Sequence, residues 1–278
     1  MAFIESLFIY PFKSARAIEV ASVLVQSTGL QWDRHWMAVD GAGKFLSQRT
    51  HPLLARIVPQ LEDDTLLLEA PRVAPLRLLL QPAGAFADVR VWDDDCTGLD
   101  QGDPAARWLS EVIGCSARIV RVVEAPNRLA DAKYAGPYPV QLAFPDGFPV
   151  LVCNRSSLES LNRRMPQPVP MERFRPNVVV SGLAEFAEDH IASLQAGDVT
   201  LRLVKPSTRC IITSTDQRTG ERSTNPLPVL RTFRFDGKLK GVKFGENAVV
   251  ARGAGTRLER GMECVPTLDM AVNPAAPA

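Results

Sequence analysis

The sequence predicts a strand-dominated α+β fold in which barrel-like sheets carry a few peripheral helices. Apolar and β-branched runs of four to eight residues, punctuated by Gly, Pro and Asp, fill most of the first hundred positions. The same texture returns after residue 178, and capped helical periodicity occurs at only two places. With 278 residues, 46% of them hydrophobic, the chain can bury a sizeable core without disulfide or metal staples. Composition excludes a disordered or fibrous protein.

Strands are expected at Phe3 to Ile9 and Ile18 to Val25. A hairpin should join Trp36 to Val39 with Lys44 to Ser47 through Asp40-Gly41-Ala42-Gly43, whose glycines supply positive φ angles. Leu76 to Leu80 and Val89 to Trp92 continue the pattern. Asp103 can then cap a helix that has Pro104 in its first turn, Ala106, Leu109 and Ile113 near one face, and Gly114 at its end. A second helix is expected from Ser156, which has capping-box spacing to Glu159, and should stop before Pro166. Between them, Pro126, Pro137, Pro139, Pro145 and Pro149 argue for an irregular crossing segment. That places an N-terminal region at 1–125 and a second domain at 126–270. Strands resume at Val178 to Ser181, Val199 to Val204, Cys210 to Ser214 and Ala248 to Ala251, and the Pro- and Ala-rich tail 271–278 is expected to be disordered.

Charge excludes several function classes. Lys and Arg number 32 against 31 Asp and Glu, so the surface as a whole is not built for a nucleic acid polymer. No apolar run approaches the ~20 residues of a membrane-spanning helix. The start MAFIESLFIYPFKS places Glu5 inside its apolar run, the wrong order for a secretory signal, so a cytoplasmic location is expected. Locally the balance shifts: Asp88 to Asp103 holds six Asp against one Arg and reads as a solvated loop, whereas Arg202 to Lys243 holds ten Lys or Arg against Asp216, Glu221 and Asp236. The basic stretch is either a solvated face or an anion-binding or partner-docking surface.

Five scattered cysteines without a Cys-x-x-Cys argue against a disulfide framework or zinc ribbon. Cys210 follows Arg209 and lies near Lys205, a setting that favours thiolate, although the spacing alone fits a buried inert cysteine better. Lys13, Ser14, Arg34 and Arg175 lie at predicted strand ends and have the chemistry of a phosphate cradle. No Gly-x-x-x-x-Gly-Lys or Gly-x-Gly-x-x-Gly motif is present, which disfavours nucleoside triphosphates and dinucleotides. His35, His51 and His190 show no metal-ligand spacing.

Seven motifs stand in an order that resembles one family. They are Tyr10-Pro-Phe-Lys13-Ser14, Asp33-Arg34-His35-Trp36, Phe174-Arg175-Pro176-Asn177, Glu188-Asp189, Gly197-Asp198-Val199, Lys205-Pro206-Ser207-Thr208-Arg209-Cys210 and Phe244-Gly245-Glu246-Asn247. The chain resembles the molybdenum cofactor sulfurase C-terminal (MOSC) domain family over almost its whole length. Within it, the likeness is to the branch with an N-terminal β-barrel region that includes YcbX-type proteins and the mitochondrial amidoxime-reducing component.

The resemblance implies a MOSC-type β-barrel with peripheral helices, an N-terminal β-rich region, and a molybdenum cofactor (molybdopterin). The activity implied is reduction of N-hydroxylated compounds: hydroxylamines, amidoximes and N-hydroxylated bases. By similarity Cys210 is the thiolate on molybdenum, and Asp146 is an acid beside the metal that positions substrate or relays protons. Lys13, Ser14, Arg34, Arg175, Asn177, Ser207, Thr208, Arg209 and Asn247 match cofactor-binding positions. Pyridoxal phosphate is not expected. Two departures stand out: Ile191 replaces an aromatic, and Glu246 replaces an amide, adding negative charge near the site. With no cysteine cluster and no dinucleotide motif, electrons are expected from a separate flavoprotein reductase or iron-sulfur protein. Two other readings stand beside it: a sulfur carrier with a persulfide on the same Cys210, and, from the basic segment alone, a binding module for some anion.

Overall fold

The computed structural model describes residues 1–269 apart from Pro82 and Tyr138, so the tail 271–278 lies outside the described residues. At its centre seven strands close a barrel: β1 (Ala2–Ile9), β2 (Val150–Asn154), β3 (Val178–Ser181), β4 (Ile191–Ala196), β5 (Val199–Thr208), β6 (Gly241–Arg252) and β7 (Glu263–Leu268). Their order around the wall is β2, β3, β1, β7, β4, β5, β6, and β6 returns to pair with β2. Only β2 and β3 run parallel, with Val152 opposite Val178. The first strand of the chain is thus held by strands of its second half, Phe3 lying opposite both Ser181 and Glu263.

Period-2 alternation explains why β2 and β3 read as unbroken apolar runs. Val150, Val152, Val178 and Val180 point into the barrel core with Ile4, Leu194, Leu201 and Ala248. Leu151, Cys153 and Val179 point outward and are covered by Leu158 and Leu161 of the helix Arg155–Asn162, by Leu230 of the helix Leu227–Arg234, and by stacked Phe174 and Phe244. Both faces are therefore buried, which is why no polar residue interrupts these strands.

The N-terminal region packs a four-stranded sheet (Trp36–Val39, Arg118–Val122, Asp94–Asp100, Ala85–Val91) near a three-stranded one (Val58–Glu62, Thr65–Glu69, Leu76–Leu79). The helix Gly102–Ile113 buries Ala105, Trp108 and Leu109 against them and ends, as expected, at left-handed Gly114. Its start departs from expectation. The helix begins before Asp103, Asp100 accepts from Gly102 N–H at 2.7 Å, and Asp103 pairs with Arg118 instead of capping.

Other local expectations are corrected where side chains compete with the ladder. Lys44 to Ser47 is not a strand: the Asp40 carboxylate takes the Ala42 and Lys44 amides, leaving only isolated bridges such as Val39 to Phe45. Ile18 to Val25 divides at Ala21 into Ile18–Val20 on β1 and Ser22–Gln26 on a different pair. Cys210 to Ser214 is also not a strand. Ile211–Ser214 is a 3-10 turn because the Cys210 carbonyl accepts from both the amide and hydroxyl of Thr213, while Ser214 bonds back to Ile211. The second helix is capped by Asn154, whose Oδ1 accepts from Ser156 N–H, in place of Ser156 itself. The proline-rich stretch is not irregular throughout; it holds the pair Arg128–Leu129 and Gln141–Leu142 and the short helix Ala132–Ala135 capped by Asp131. The acidic stretch is a hairpin, not a loop, with Trp92 at its tip.

Gly245 marks the tightest packing behind the site. It has φ +76°, and a Cβ there would stand 2.6 Å from Cys153 Sγ and 2.8 Å from the Val152 carbonyl. Gly245→Ala should therefore cost roughly 2–4 kcal/mol in urea unfolding, adding left-handed strain to overpacking. A loss below about 0.5 kcal/mol would show that β2 and β6 can move apart freely.

Candidate functional site

Between the barrel and the N-terminal sheet lies a cleft of about 370 Å³ that gathers all eleven residues predicted from sequence. Lys13 and Ser14 enter from the loop after β1, Arg34 from the loop before Trp36–Val39, and Arg175 and Asn177 from the approach to β3. Ser207 and Thr208 close β5, Arg209 and Cys210 follow it, Asn247 comes from β6, and Asp146 from the loop before β2. Sequence reasoning missed Arg49 and Trp92, which the N-terminal region contributes to the same wall. Neither carried a local motif; only the fold brings them to the cleft.

A buried polar knot sets the cradle. Asp33 Oδ1 accepts from Tyr10 N–H at 2.9 Å and from Asn177 Nδ2 at 3.0 Å, while its second oxygen pairs with Arg34. Burial pushes the Asp33 carboxyl up, against the pull of Arg34 and these hydrogen bonds. Asn177 Oδ1 accepts from Arg34 at 2.9 Å and from Leu151 N–H at 3.1 Å, tying the loop to β2. Two guanidinium groups stand over the Tyr10 ring, Arg34 at 4.4 Å and Arg175 at 4.3 Å, so cation–π attraction offsets their mutual repulsion. Arg175 donates to the Ala15 carbonyl at 2.7 Å, and burial draws it down to about 10, still ionised at neutral pH.

Backbone conformation singles out the same residues. Ser14 (φ 71°), Arg34 (φ 53°), Trp92 (φ 60°) and Arg175 (φ 56°) are four of the eight non-glycine residues with positive φ among the described residues, and all four line the cleft. Such conformations cost energy and persist where surrounding structure holds side chains for a purpose.

At the mouth, Asp146 is half exposed and clasped by Lys13 at 2.5 Å, Arg49 at 3.5 Å and Trp92 Nε1 at 3.4 Å. Desolvation opposes its charge, yet Lys13 and Arg49 outweigh it and hold the carboxyl well below the usual range. Burial lowers the Lys13 ammonium to about 8 in spite of Asp146, and Lys13 also donates to the Phe144 carbonyl at 2.8 Å. Six cationic side chains line the cleft against this one carboxylate, which suits an anion.

The sulfur is placed differently from the other cysteines. Cys210 is part-exposed on the cleft wall, whereas Cys153 is fully buried behind it and burial pushes its thiol up. Arg209 donates to Ser207 Oγ at 2.7 Å and the Phe174 carbonyl at 2.6 Å, and its buried Nε has no protein partner. Among the described residues no three His, Cys, Asp or Glu side chains converge on a point, so a metal here would need most of its donors from outside the chain.

The basic segment Arg202 to Lys243 is neither one solvated face nor one docking surface. Lys205 and Arg209 line the cleft, Arg202 bonds the Ala135 carbonyl, and Arg234 and Lys243 pair with Asp189 at 2.6 and 2.9 Å. Arg218, Arg222, Arg231, Lys238 and Lys240 remain exposed. The two family departures are also resolved. Ile191 starts β4 inside the barrel core. Glu246 adds no charge to the cleft: strand alternation turns Asn247 toward it and Glu246 away, among Asp189, Glu188, Lys243 and Arg234.

Two family descriptions match, a MOSC N-terminal beta barrel domain over residues 1–116 and a MOSC domain over 139–261. The chain is 33% identical over 247 residues to mitochondrial amidoxime reducing component 2 of Rattus norvegicus, covering 84% of this chain and 72% of that protein. It is 33% identical over 242 residues to mitochondrial amidoxime-reducing component 1 of Mus musculus (84% and 71%) and 31% identical over 246 residues to component 1 of Homo sapiens (83% and 72%). Among the described residues no helix is long and apolar enough to cross a membrane.

Glu246 gives a test of the inner cluster. Burial, then Asp189 and Glu188, raise its carboxyl from 4.5 to about 9, and its Oε1 has no partner. The folded state therefore binds the extra proton between those values, and the stability this group contributes is greatest below about 4.5 and falls as pH rises toward 9. Glu246→Gln should remove that slope, gaining roughly 2–4 kcal/mol at pH 8 relative to pH 5 in urea titrations. Parallel pH profiles for both proteins would show that Glu246 is ionised in the fold.

Proposed function

The chain belongs to the family that joins a MOSC N-terminal β-barrel domain to a MOSC domain, and from that premise we propose that it is a molybdenum-cofactor-dependent reductase of N-hydroxylated compounds. The observation that carries the reading is one part-exposed cysteine on the wall of a cleft where six cations face one carboxylate. The donor chemistry fits. Cys210 would hold the molybdenum of such a cofactor through its sulfur, a soft donor that suits this metal. Arg34, Arg175, Arg209 and Lys13, with the Ser14, Ser207 and Thr208 hydroxyls and the Asn177 and Asn247 amides, offer charge-assisted donors for a pterin and its phosphate.

When bound, the cofactor supplies two electrons to the N–O bond. The balance is R–NHOH plus two electrons and two protons giving R–NH2 and water. Asp146, held ionised, accepts a hydrogen bond from the substrate's N–H or O–H and orients it. Lys13, bonded through Nζ to Asp146 and to the Phe144 carbonyl, holds that carboxylate in place. Cys153 takes no part, being sealed behind Gly245 and Phe244. Electrons arrive from a separate flavoprotein reductase or iron-sulfur protein.

Cys210→Ser should abolish reduction of benzamidoxime and strip molybdenum from purified protein while the urea midpoint is kept, whereas Cys153→Ala should keep metal and activity. Full activity with normal metal in Cys210→Ser would sink the assignment, and a persulfide on metal-free Cys210 in the wild type would favour a sulfur carrier.

Arg175→Ala removes a charged donor worth roughly 1.5–3 kcal/mol. Molybdenum occupancy after limited loading should fall by about tenfold or more, with activity per bound metal falling less. Equal occupancy would make Arg175 a structural ion only.

A further inference from the structure

The hairpin Ala85–Val91 and Asp94–Asp100 belongs to the N-terminal sheet, yet its tip reaches the cleft of the barrel. Val91 pairs with Asp94, so the turn is two residues long, Trp92 and Asp93. Trp92 takes φ +60° at the first turn position, where two-residue hairpins favour glycine or asparagine. A bulky ring kept at a backbone cost, and left 42% exposed, is retained for what its side chain does. Its ring is fixed from three sides: the Arg49 guanidinium stacks at 4.5 Å, the Phe45 ring meets it edge-on at 5.0 Å, and Nε1 points to Asp146 at 3.4 Å. The rest of the indole borders the cleft mouth, beside the carboxylate that orients substrate.

We propose that Trp92 is a specificity-determining residue that receives the flat aryl or heteroaryl part of an N-hydroxylated substrate. The N-terminal sheet then selects substrates for a reactive centre that the barrel carries. The inference rests on the reductase reading for the reacting end of the substrate. Its chemistry is separate: a rigid indole set beside Asp146 gains contact with a ring that stacks or packs edge-on, and gains little from a methyl group. Arg49 and Phe45 hold the indole in place before the substrate arrives, so little ordering is needed on binding.

The test compares benzamidoxime with acetamidoxime, which share the reacting group, using cofactor-loaded protein with a small artificial reductant. Trp92→Gly suits the left-handed backbone and should fold; Trp92→Phe keeps an aromatic ring. The benzamidoxime to acetamidoxime ratio of kcat/KM should fall about tenfold in Trp92→Gly, chiefly through KM for benzamidoxime, and stay within about twofold in Trp92→Phe. A ratio unchanged in Trp92→Gly overturns the proposal. Indole emission gives a second readout that does not depend on turnover: benzamidoxime should quench it in the wild type and not in Trp92→Phe, and equal quenching in both overturns the proposal. Should the wild type reduce neither oxime, the reductase reading falls and the quenching comparison alone decides whether Trp92 meets an aryl ligand.

Discussion

The buried Asp33 carboxylate is the constraint on which the cleft depends. It receives the Tyr10 amide, the Asn177 side chain and the Arg34 guanidinium, and so joins three segments that are far apart in sequence. Without it, Arg34 would lose its carboxylate partner, and Arg175, beside the same Tyr10 ring, would keep only Asp146 of its two nearby carboxylates. With it, the cradle has a fixed shape before anything binds. Preorganised charge of this kind is what allows an anionic group to be held tightly, because the cost of assembling the cations is met when the chain folds.

The barrel and the N-terminal region divide the work. The barrel contributes Cys210 and most of the polar side chains of the cleft, from the end of β5, the middle of β6 and the approach to β3, and β3 is packed on both faces. The N-terminal region supplies Arg49 and Trp92 at the mouth, where they meet Asp146. Because β1 is held between β3 and β7, the loop carrying Lys13 and Ser14 leaves the barrel wall directly into the cleft. The site is therefore built at the seam, and each side contributes chemistry the other lacks.

Much of this was legible in the sequence. Strand texture gave the fold class, and five of the seven ordered motifs place residues in one cleft from across the chain. What stayed hidden had physical causes. Cys210 to Ser214 is β-branched and looked like a strand, but the Thr213 and Ser214 hydroxyls bond back to the chain and curl it. The basic run read as a surface feature because sequence does not reveal which cations find buried partners, as Arg234 finds Asp189. Glu246 looked like a charge in the site because its neighbour Asn247 is there, and alternation along β6 turns it the other way. Trp92 and Arg49 had no motif, since their role comes only from where a distant hairpin lands.

X-ray absorption at the molybdenum edge of the purified protein tests the central claim most directly, because it counts the sulfur atoms around the metal. With Cys210 as the protein thiolate, the molybdenum should be near-stoichiometric and its sulfur shell should hold one more atom than the pterin's dithiolene pair supplies. A molybdenum-free protein, or a metal whose sulfur shell is complete without a protein thiolate, would contradict it.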